Sequence, residues 1–425
     1  MRGYAAALFW FLSLCGSLSV RAEPAQFVLF NISGPSNSGA LEQIRQEFKA
    51  SGDGPVRVGA GAIFSYLRQP RAQTVAAVKQ FLRRAQKTDT PVVVQLDGEN
   101  WWDGRPDLWN WWDAAQPGYS PANRMNVEWT GWSPDGAIKI AWRNWGRQIR
   151  VPPPPNLMSA AYRRACHEEM RVLIPLVLDW WRALPPDQKH LLVGIKLGWE
   201  SSIGANAWYY PDGNARLDQP AANDPISGLD AANPPARGVT QIGYAAVKTA
   251  GLRNAGEITE ADLAEVVRRH LEDLCRLAAE LGVPREKLFT HVAGWKENEL
   301  LYQSGLNQFS CPGWSFYRHA AEPLADAGVQ TALSKTDAPF WAAVEWLYQG
   351  PREIGPWQRA LTATLSSSRC RYVCIYNWEG VCDSSNILQA VRNVVQSRAG
   401  NQGADSAPVP VAGAGGARPP PKPAP

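Results

Sequence analysis

A single (β/α)8 TIM barrel with long loop insertions after its third and fourth strands is the fold class that this 425-residue chain predicts. Three observations predict it. Short apolar runs alternate with amphipathic, charge-bearing stretches, the pattern of successive βα units around a parallel sheet. Eight such runs can be counted. The fourth, Leu191-Leu-Val-Gly-Ile-Lys-Leu-Gly-Trp199, stops at Glu200, and the seventh, Pro339-Phe-Trp-Ala-Ala-Val344, stops at Glu345. Carboxylates at the C-terminal ends of parallel barrel strands point onto the face that carries barrel active sites.

Taken in order, the strands are expected at Phe27–Ile32, Val56–Phe64, Pro91–Leu96, Leu191–Leu197, Phe289–Gly294, Gly313–Tyr317, Phe340–Val344 and Tyr372–Tyr376. The sixth is short, and an irregular stretch follows it to about Asp337. Helices are expected at Gly39–Lys49, Thr74–Lys87, Ser159–Ala183, Thr259–Leu281 and Ser385–Ser397. The helix at Thr259 opens on Thr259-Glu-Ala-Asp262, which supplies a capping oxygen and early acids suited to the positive helix end. Its Leu263, Val266, Val267, Leu271, Leu274, Ala278 and Leu281 recur at helical spacing and form a core-facing stripe.

Two insertions break the alternation, at residues 98–157 and 201–258. Both follow strands, so both should roof the face that bears the glutamates and favour a closed pocket with end-acting cleavage. The first insertion carries nine tryptophans, from Trp101 and Trp102 to Trp142 and Trp145, of which about half are expected to be structural.

The ends of the chain read differently. Arg2, the apolar stretch Ala5–Leu14 and Val20-Arg-Ala22 make residues 1–22 a signal peptide, cleaved after Ala22, with a secreted or periplasmic product. Leu12-Ser-Leu-Cys15 only faintly matches a lipoprotein signal. Residues 397–425 are Ala/Gly/Pro-rich and have nothing to bury, so a disordered tail is expected. The catalytic barrel then spans residues 23–396, and no second long apolar run predicts a membrane span. Net charge is +4, with basic residues scattered, which excludes a nucleic-acid surface. Six cysteines remain after the signal peptide, Cys166, Cys275, Cys311, Cys370, Cys374 and Cys382, an even set that allows up to three disulfides or buried thiols.

Twenty tryptophans against five histidines favour flat faces for sugar rings over a metal hydrolase, so no metal and no cofactor are expected. Phosphate-binding Gly-rich loops, the Gly-x-Ser-x-Gly elbow and His-Glu-x-x-His are all missing from the sequence. Two carboxylates on different strands suit glycoside hydrolysis, in which one protonates the leaving oxygen while the other attacks or activates water.

With Glu200 ending strand four, Glu345 ending strand seven and Trp378 ending strand eight, the chain resembles the retaining glycoside hydrolases of clan A. That resemblance covers residues 27–396 as a pattern of strands and matches no particular family. It implies Glu200 as acid/base and Glu345 as nucleophile. It also implies a β-linked oligosaccharide, polysaccharide or glycoconjugate substrate, with Trp378 flooring the subsite of the sugar being cleaved and Tyr317 near the nucleophile. Val344-Glu-Trp346 and Tyr376-Asn-Trp378 carry the likeness. One departure is Trp199, which stands before Glu200 where the clan commonly has Asn; Asn377 or Asn100 could hold the sugar hydroxyl instead.

Further substrate-binding candidates are Asp97, Glu99, Trp101, Trp102, Trp199, His291, Trp295 and Trp346, and His319 stands on the same footing as His291. Two other readings stay open. One is a barrel that binds glycans without cleaving them, and the other is an inverting or differently wired glycosidase that uses Glu99 or Glu379.

Overall fold

The computed structural model describes residues 25–401 except 34–38, 50–53, 145–147, 225–237, 295 and 297. The proposed signal peptide, the tail after Asn401, Trp145, Trp295 and Glu297 therefore lie outside the described residues. Among the described residues ten strands form, β1 Gln26–Ile32, β2 Val56–Ser65, β3 Val92–Asp97, β4 Ala141–Asn144, β5 Gln148–Val151, β6 Leu192–Ser201, β7 Leu288–Val292, β8 Gly313–Phe316, β9 Trp341–Trp346 and β10 Cys370–Ile375. Eight of them close a barrel in the order β1-β10-β9-β8-β7-β6-β3-β2, every pair parallel. The (β/α)8 reading therefore holds. β4 and β5 pair antiparallel as a hairpin inside the first insertion.

Alternation of side chains along each strand sorts the barrel interior into layers. Phe27, Leu29, Val93, Val193, Phe289, Ala342, Val344 and Tyr372 fill the floor. One layer higher, polar groups replace them: Gln95 Nε2 donates to Asn31 Oδ1 at 2.6 Å, and Lys196 meets His291. An interior that turns polar toward the strand ends must pair every such group internally, because water cannot reach it.

The outer layer follows the expected helices closely, including Ala160–Ala183 and Glu260–Glu280. The latter starts on a complete capping box between Thr259 and Asp262. The unassigned stretch after β8 contains a helix, Ala327–Ser334, and another helix, Ile354–Leu365, follows β9. Among the described residues between β7 and β8 lies a 3-10 segment, Leu300–Gly305.

The first insertion has little regular structure, and buried asparagines satisfy its backbone instead. Asn110 Nδ2 donates to the carbonyls of Asp113, Gln116 and Pro117, Asn123 Nδ2 to those of Asn110 and Gly118, and Asn126 Nδ2 to that of Leu108. Its tryptophans do similar work. The indole N–H groups of Trp102, Trp109, Trp111, Trp129 and Trp132 each donate to a backbone carbonyl, so most of the aromatic density is a folding requirement of the loop.

The disulfide expectation is corrected. All six cysteines are free thiols, five of them buried. They lie among separate packing partners: Cys166 shares hydrogen bonds with Tyr66 and Tyr162, and Cys275 with Ser310 and Asn307. Buried free cysteine behaves as a small hydrophobe, and an even count carries no geometric information about pairing. Among the described residues no helix is long and apolar enough to cross a membrane.

Candidate active site

Glu200 and Glu345 stand at the C-terminal rim of the barrel, on its fourth and seventh strands, and both are buried. Register irregularities aim them. Against β7, β6 carries two extra residues between Leu197 and Ser201, where Gly198 has φ 81° and Glu200 φ 51°. A glutamate in the left-handed region is uncommon, and such outliers concentrate where a side chain must be re-aimed. Gly198 permits the turn, since a Cβ there would lie 2.4 Å from Ser201 Oγ and 3.0 Å from Glu99 Oε1. β9 also carries one extra residue against both neighbours, so Val344 points into the floor and Glu345 still points inward.

An oxygen of Glu200, an oxygen of Glu345 and a ring nitrogen of His291 all lie within 4.8 Å of one another. The surroundings of the two carboxylates differ. Glu345 accepts from Trp199 Nε1 at 2.9 Å on Oε2 and from the Tyr317 hydroxyl on Oε1. Glu200 accepts from Ser315 Oγ at 3.0 Å on Oε1. Burial pushes both carboxyl pKa values up. For Glu200 the charge of Glu345 adds to burial and carries it well above the ordinary range, whereas the Lys196 ammonium, Tyr317 and Trp199 offset burial at Glu345. Like charges this close disfavour ionisation of both, and the surroundings raise the Glu200 carboxyl further than that of Glu345.

The same three residues have a spacing that could hold a cation, but the donor set argues against one. Both His291 nitrogens already take part in hydrogen bonds, Nδ1 with Lys196 Nζ and Nε2 with Ser315 Oγ, each at 2.7 Å. Lys196 itself places a positive charge beside Glu345.

The other sequence candidates divide by position. Trp101 lines a cavity of ≈ 400 Å³ with Ser65, Arg68, Trp199 and Tyr376, and its ring carries the guanidinium of Arg68 at 4.7 Å and that of Arg143 at 5.2 Å. Glu99, Glu200 and Arg143 line a smaller cleft of ≈ 30 Å³ beside it. Asp97 is fully used by the fold: it accepts from the amides of Glu99 and Asn100 and from Ser65 Oγ. Glu99 accepts from Ser201 Oγ at 2.6 Å and faces His270 at 3.3 Å. Asn100 Nδ2 donates to the Trp199 carbonyl at 2.6 Å, which holds the segment before Glu200.

Trp102 and Trp346 are core residues, packed on Tyr162 and Trp357 respectively. The Trp378 ring packs edge-on against Phe30 and donates to Gln43 Oε1, so the aromatic that strand eight contributes to the cavity is Tyr376. Asn377 caps the turn Trp378–Val381 and donates to Ser33 Oγ, and Glu379 accepts from the Ser33 amide. His291 is wholly buried beneath the carboxylates.

Sequence reasoning passed over Lys196, Ser315, Arg143 and Tyr376. Lys196 had a signal: a lysine in the middle of an apolar strand needs a buried partner.

No protein-family model matches the chain, and no curated protein matches it in sequence. Solved structures do match. A GH5-4 broad-specificity endoglucanase from an uncultured bacterium is 9% identical, with 87% of this chain and 93% of that chain covered and a TM-score of 0.43. A glycoside hydrolase family 5 enzyme from Prevotella bryantii B14 is 9% identical over 88% and 96%, with a TM-score of 0.41. A ruminal GH26 endo-β-1,4-mannanase is 11% identical over 88% and 63%, with a TM-score of 0.40. Likeness at this level says nothing about chemistry, so the site has to be read from its own geometry.

Proposed function

We propose that this protein is a retaining glycoside hydrolase acting on a β-linked carbohydrate, with Glu345 as nucleophile and Glu200 as acid/base. The observation that carries the reading is the pair of buried carboxylates whose oxygens approach within 4.8 Å and whose hydrogen bonds differ in kind. Retaining enzymes hold their carboxyls about 5–5.5 Å apart and inverting ones about 6.5–9.5 Å, and a binding barrel has no need of the contact.

In the first step a Glu345 oxygen forms a bond to the anomeric carbon while the glycosidic C–O bond breaks and Glu200 gives its proton to the departing oxygen. In the second, Glu200, now a carboxylate, takes a proton from water as that water bonds to the anomeric carbon and Glu345 leaves. Trp199 and Tyr317 donate to Glu345 throughout and orient it. The cavity beside Trp101, Trp199 and Tyr376 offers the aromatic faces that sugar rings favour. Export, with cleavage after Ala22, belongs to the same proposal and rests on the sequence of residues 1–22.

Turnover of a panel of aryl β-glycosides by wild type, Glu345→Gln and Glu200→Gln tests the assignment. Glu345→Gln should be inactive on every substrate. Glu200→Gln should lose about 10²–10⁴-fold on poor leaving groups and retain the first step with good ones. Product anomers of unchanged configuration distinguish this from an inverting enzyme that uses Glu99, and turnover that survives both substitutions would sink the reading.

A further inference from the structure

Beneath the two glutamates runs a line of buried polar groups that the mechanism above does not use. Lys196 Nζ lies 2.7 Å from His291 Nδ1, His291 Nε2 lies 2.7 Å from Ser315 Oγ, and Ser315 Oγ lies 3.0 Å from Glu200 Oε1. All four residues are buried, three of them completely. They come from three neighbouring strands of the barrel: Glu200 and Lys196 from β6, His291 from β7 and Ser315 from β8.

The direction of this line follows from donor chemistry. An ammonium has three donors and no lone pair, so Nδ1 of His291 has to accept. A neutral imidazole that accepts at Nδ1 carries its hydrogen on Nε2, which then donates to Ser315. With its oxygen accepting from histidine, the serine hydroxyl has its own hydrogen free for Glu200 Oε1.

We propose that Lys196, His291 and Ser315 form a one-way hydrogen-bond chain that reserves Oε1 of Glu200 as an acceptor and thereby places its transferable proton on Oε2. The three are positioning residues, since none of them reaches the reacting atoms. The inference rests on the acid/base role of Glu200 for its catalytic meaning, while the direction of the chain stands apart from it.

The charge state of the surroundings agrees. Lys196 faces Glu345, Asp97, Cys374 and Glu200, and burial lowers its pKa to about 8, which leaves it protonated at neutral pH. His291 faces the Lys196 charge, and that charge together with burial holds its pKa well below the ordinary value, so the ring stays neutral. Around Glu200 stand Glu345, Lys196 and Arg143. Lys196 thus serves both carboxylates: its charge favours the anion of Glu345, and its hydrogen bond, passed through two side chains, orients Glu200.

Nitrogen-15 NMR of the histidine rings in the whole protein tests the direction without any need for turnover. Five histidines make the spectrum tractable, and His291→Gln identifies the signal. At pH 7 His291 should show a protonated Nε2 and a bare Nδ1, and Lys196→Met should let the other tautomer appear. A hydrogen on Nδ1 in the wild type, or an imidazolium, overturns the proposal.

Kinetics test the consequence. The hydrogen bond from Ser315 lowers the Glu200 pKa, so Ser315→Ala should move the basic limb of the kcat/KM profile to higher pH. The same variant should slow poor leaving groups about fivefold to tenfold while sparing good ones, and Ser315→Thr should restore both. An unmoved limb, or an equal loss across all leaving groups, would show that Ser315 does no more than fill space. If Glu200→Gln and Glu345→Gln keep full activity, the functional reading fails while the histidine tautomer still decides the direction of the chain.

Discussion

At the scale of single residues, the site separates two chemically identical side chains by their neighbours. Glu345 has an indole and a phenol as donors and the Lys196 ammonium as its main charge contact, whereas Glu200 has one hydroxyl and the repulsion of Glu345 as its largest charge contact, ahead of Lys196 and Arg143. The difference supports the roles proposed for the two. Tyr317→Phe removes a donor from Glu345, and since that hydrogen bond lowers the Glu345 pKa, the acid limb of kcat/KM should move to higher pH. A fall of about tenfold in kcat at neutral pH should accompany it, the order of one hydrogen bond to a charged group. A pH–rate profile of the variant checks both, and an acid limb left in place would contradict the role given to Tyr317. Asp97 and Glu99, carboxylates on the same rim, differ from the proposed catalytic pair in their partners. Their oxygens are taken up by the amides and hydroxyls of Ser65, Glu99, Asn100 and Ser201. They hold the rim of the barrel in place.

At the scale of elements, strand ends and helix starts respond differently to substitution. The turn at Gly198 combines a left-handed backbone with contacts that leave no room for a Cβ. Gly198→Ala should cost about 1–3 kcal/mol in denaturant unfolding and should also reduce kcat/KM, because strain relieved there displaces Glu200. Thr259→Ala removes the side-chain cap of the helix Glu260–Glu280, far along the outer layer. It should cost about 1 kcal/mol and leave turnover unchanged. Urea titration and steady-state kinetics on the two variants separate an element that supports the fold from one that aims the chemistry. A Gly198→Ala protein with wild-type activity would show that the bulge does not aim Glu200.

For the whole molecule, burial of titratable groups makes stability depend on pH in a way that can be signed in advance. Glu128 is buried, and burial pushes its pKa up to about 8 from 4.5 against the lowering pull of the backbone amides of Ala245, Trp129, Ala246 and Gly243. Between those values the folded protein keeps a proton that the unfolded chain releases, so stability falls as pH rises through this window. Glu200, raised in the same direction, adds to the fall. Lys196 and Lys287, lowered to about 8 from 10.5, act the other way above pH 8, but from pH 9 the buried thiols of Cys166, Cys275 and Cys311, raised to about 12, keep protons that the unfolded chain releases and pull stability down again. Tm should therefore fall as pH rises from 4.5 to 8. Glu128→Gln should flatten the descending side, and an equal slope in wild type and variant would remove Glu128 from the explanation.

The sequence by itself determined the periodic part of this protein: eight apolar runs, the helices between them, the capped start at Thr259, and two glutamates at strand ends on one face. These are local properties, written in the spacing of apolar residues and in short motifs, and they survive the change from chain to fold within a few residues. Register was decided only in three dimensions. Strict alternation puts Val344 and Glu345 on opposite faces, and it takes an extra residue in β9, set against both neighbouring strands, to turn both inward. The fate of each aromatic was decided the same way. Trp102, Trp346 and Trp378 went into packing and Tyr376 into the cavity, because burial depends on what the neighbouring elements bring and no window of sequence contains them. Lys196, His291 and Ser315 show the limit most clearly: they are 95 and 24 residues apart along the chain, and only closure of the barrel brings them into hydrogen-bond contact.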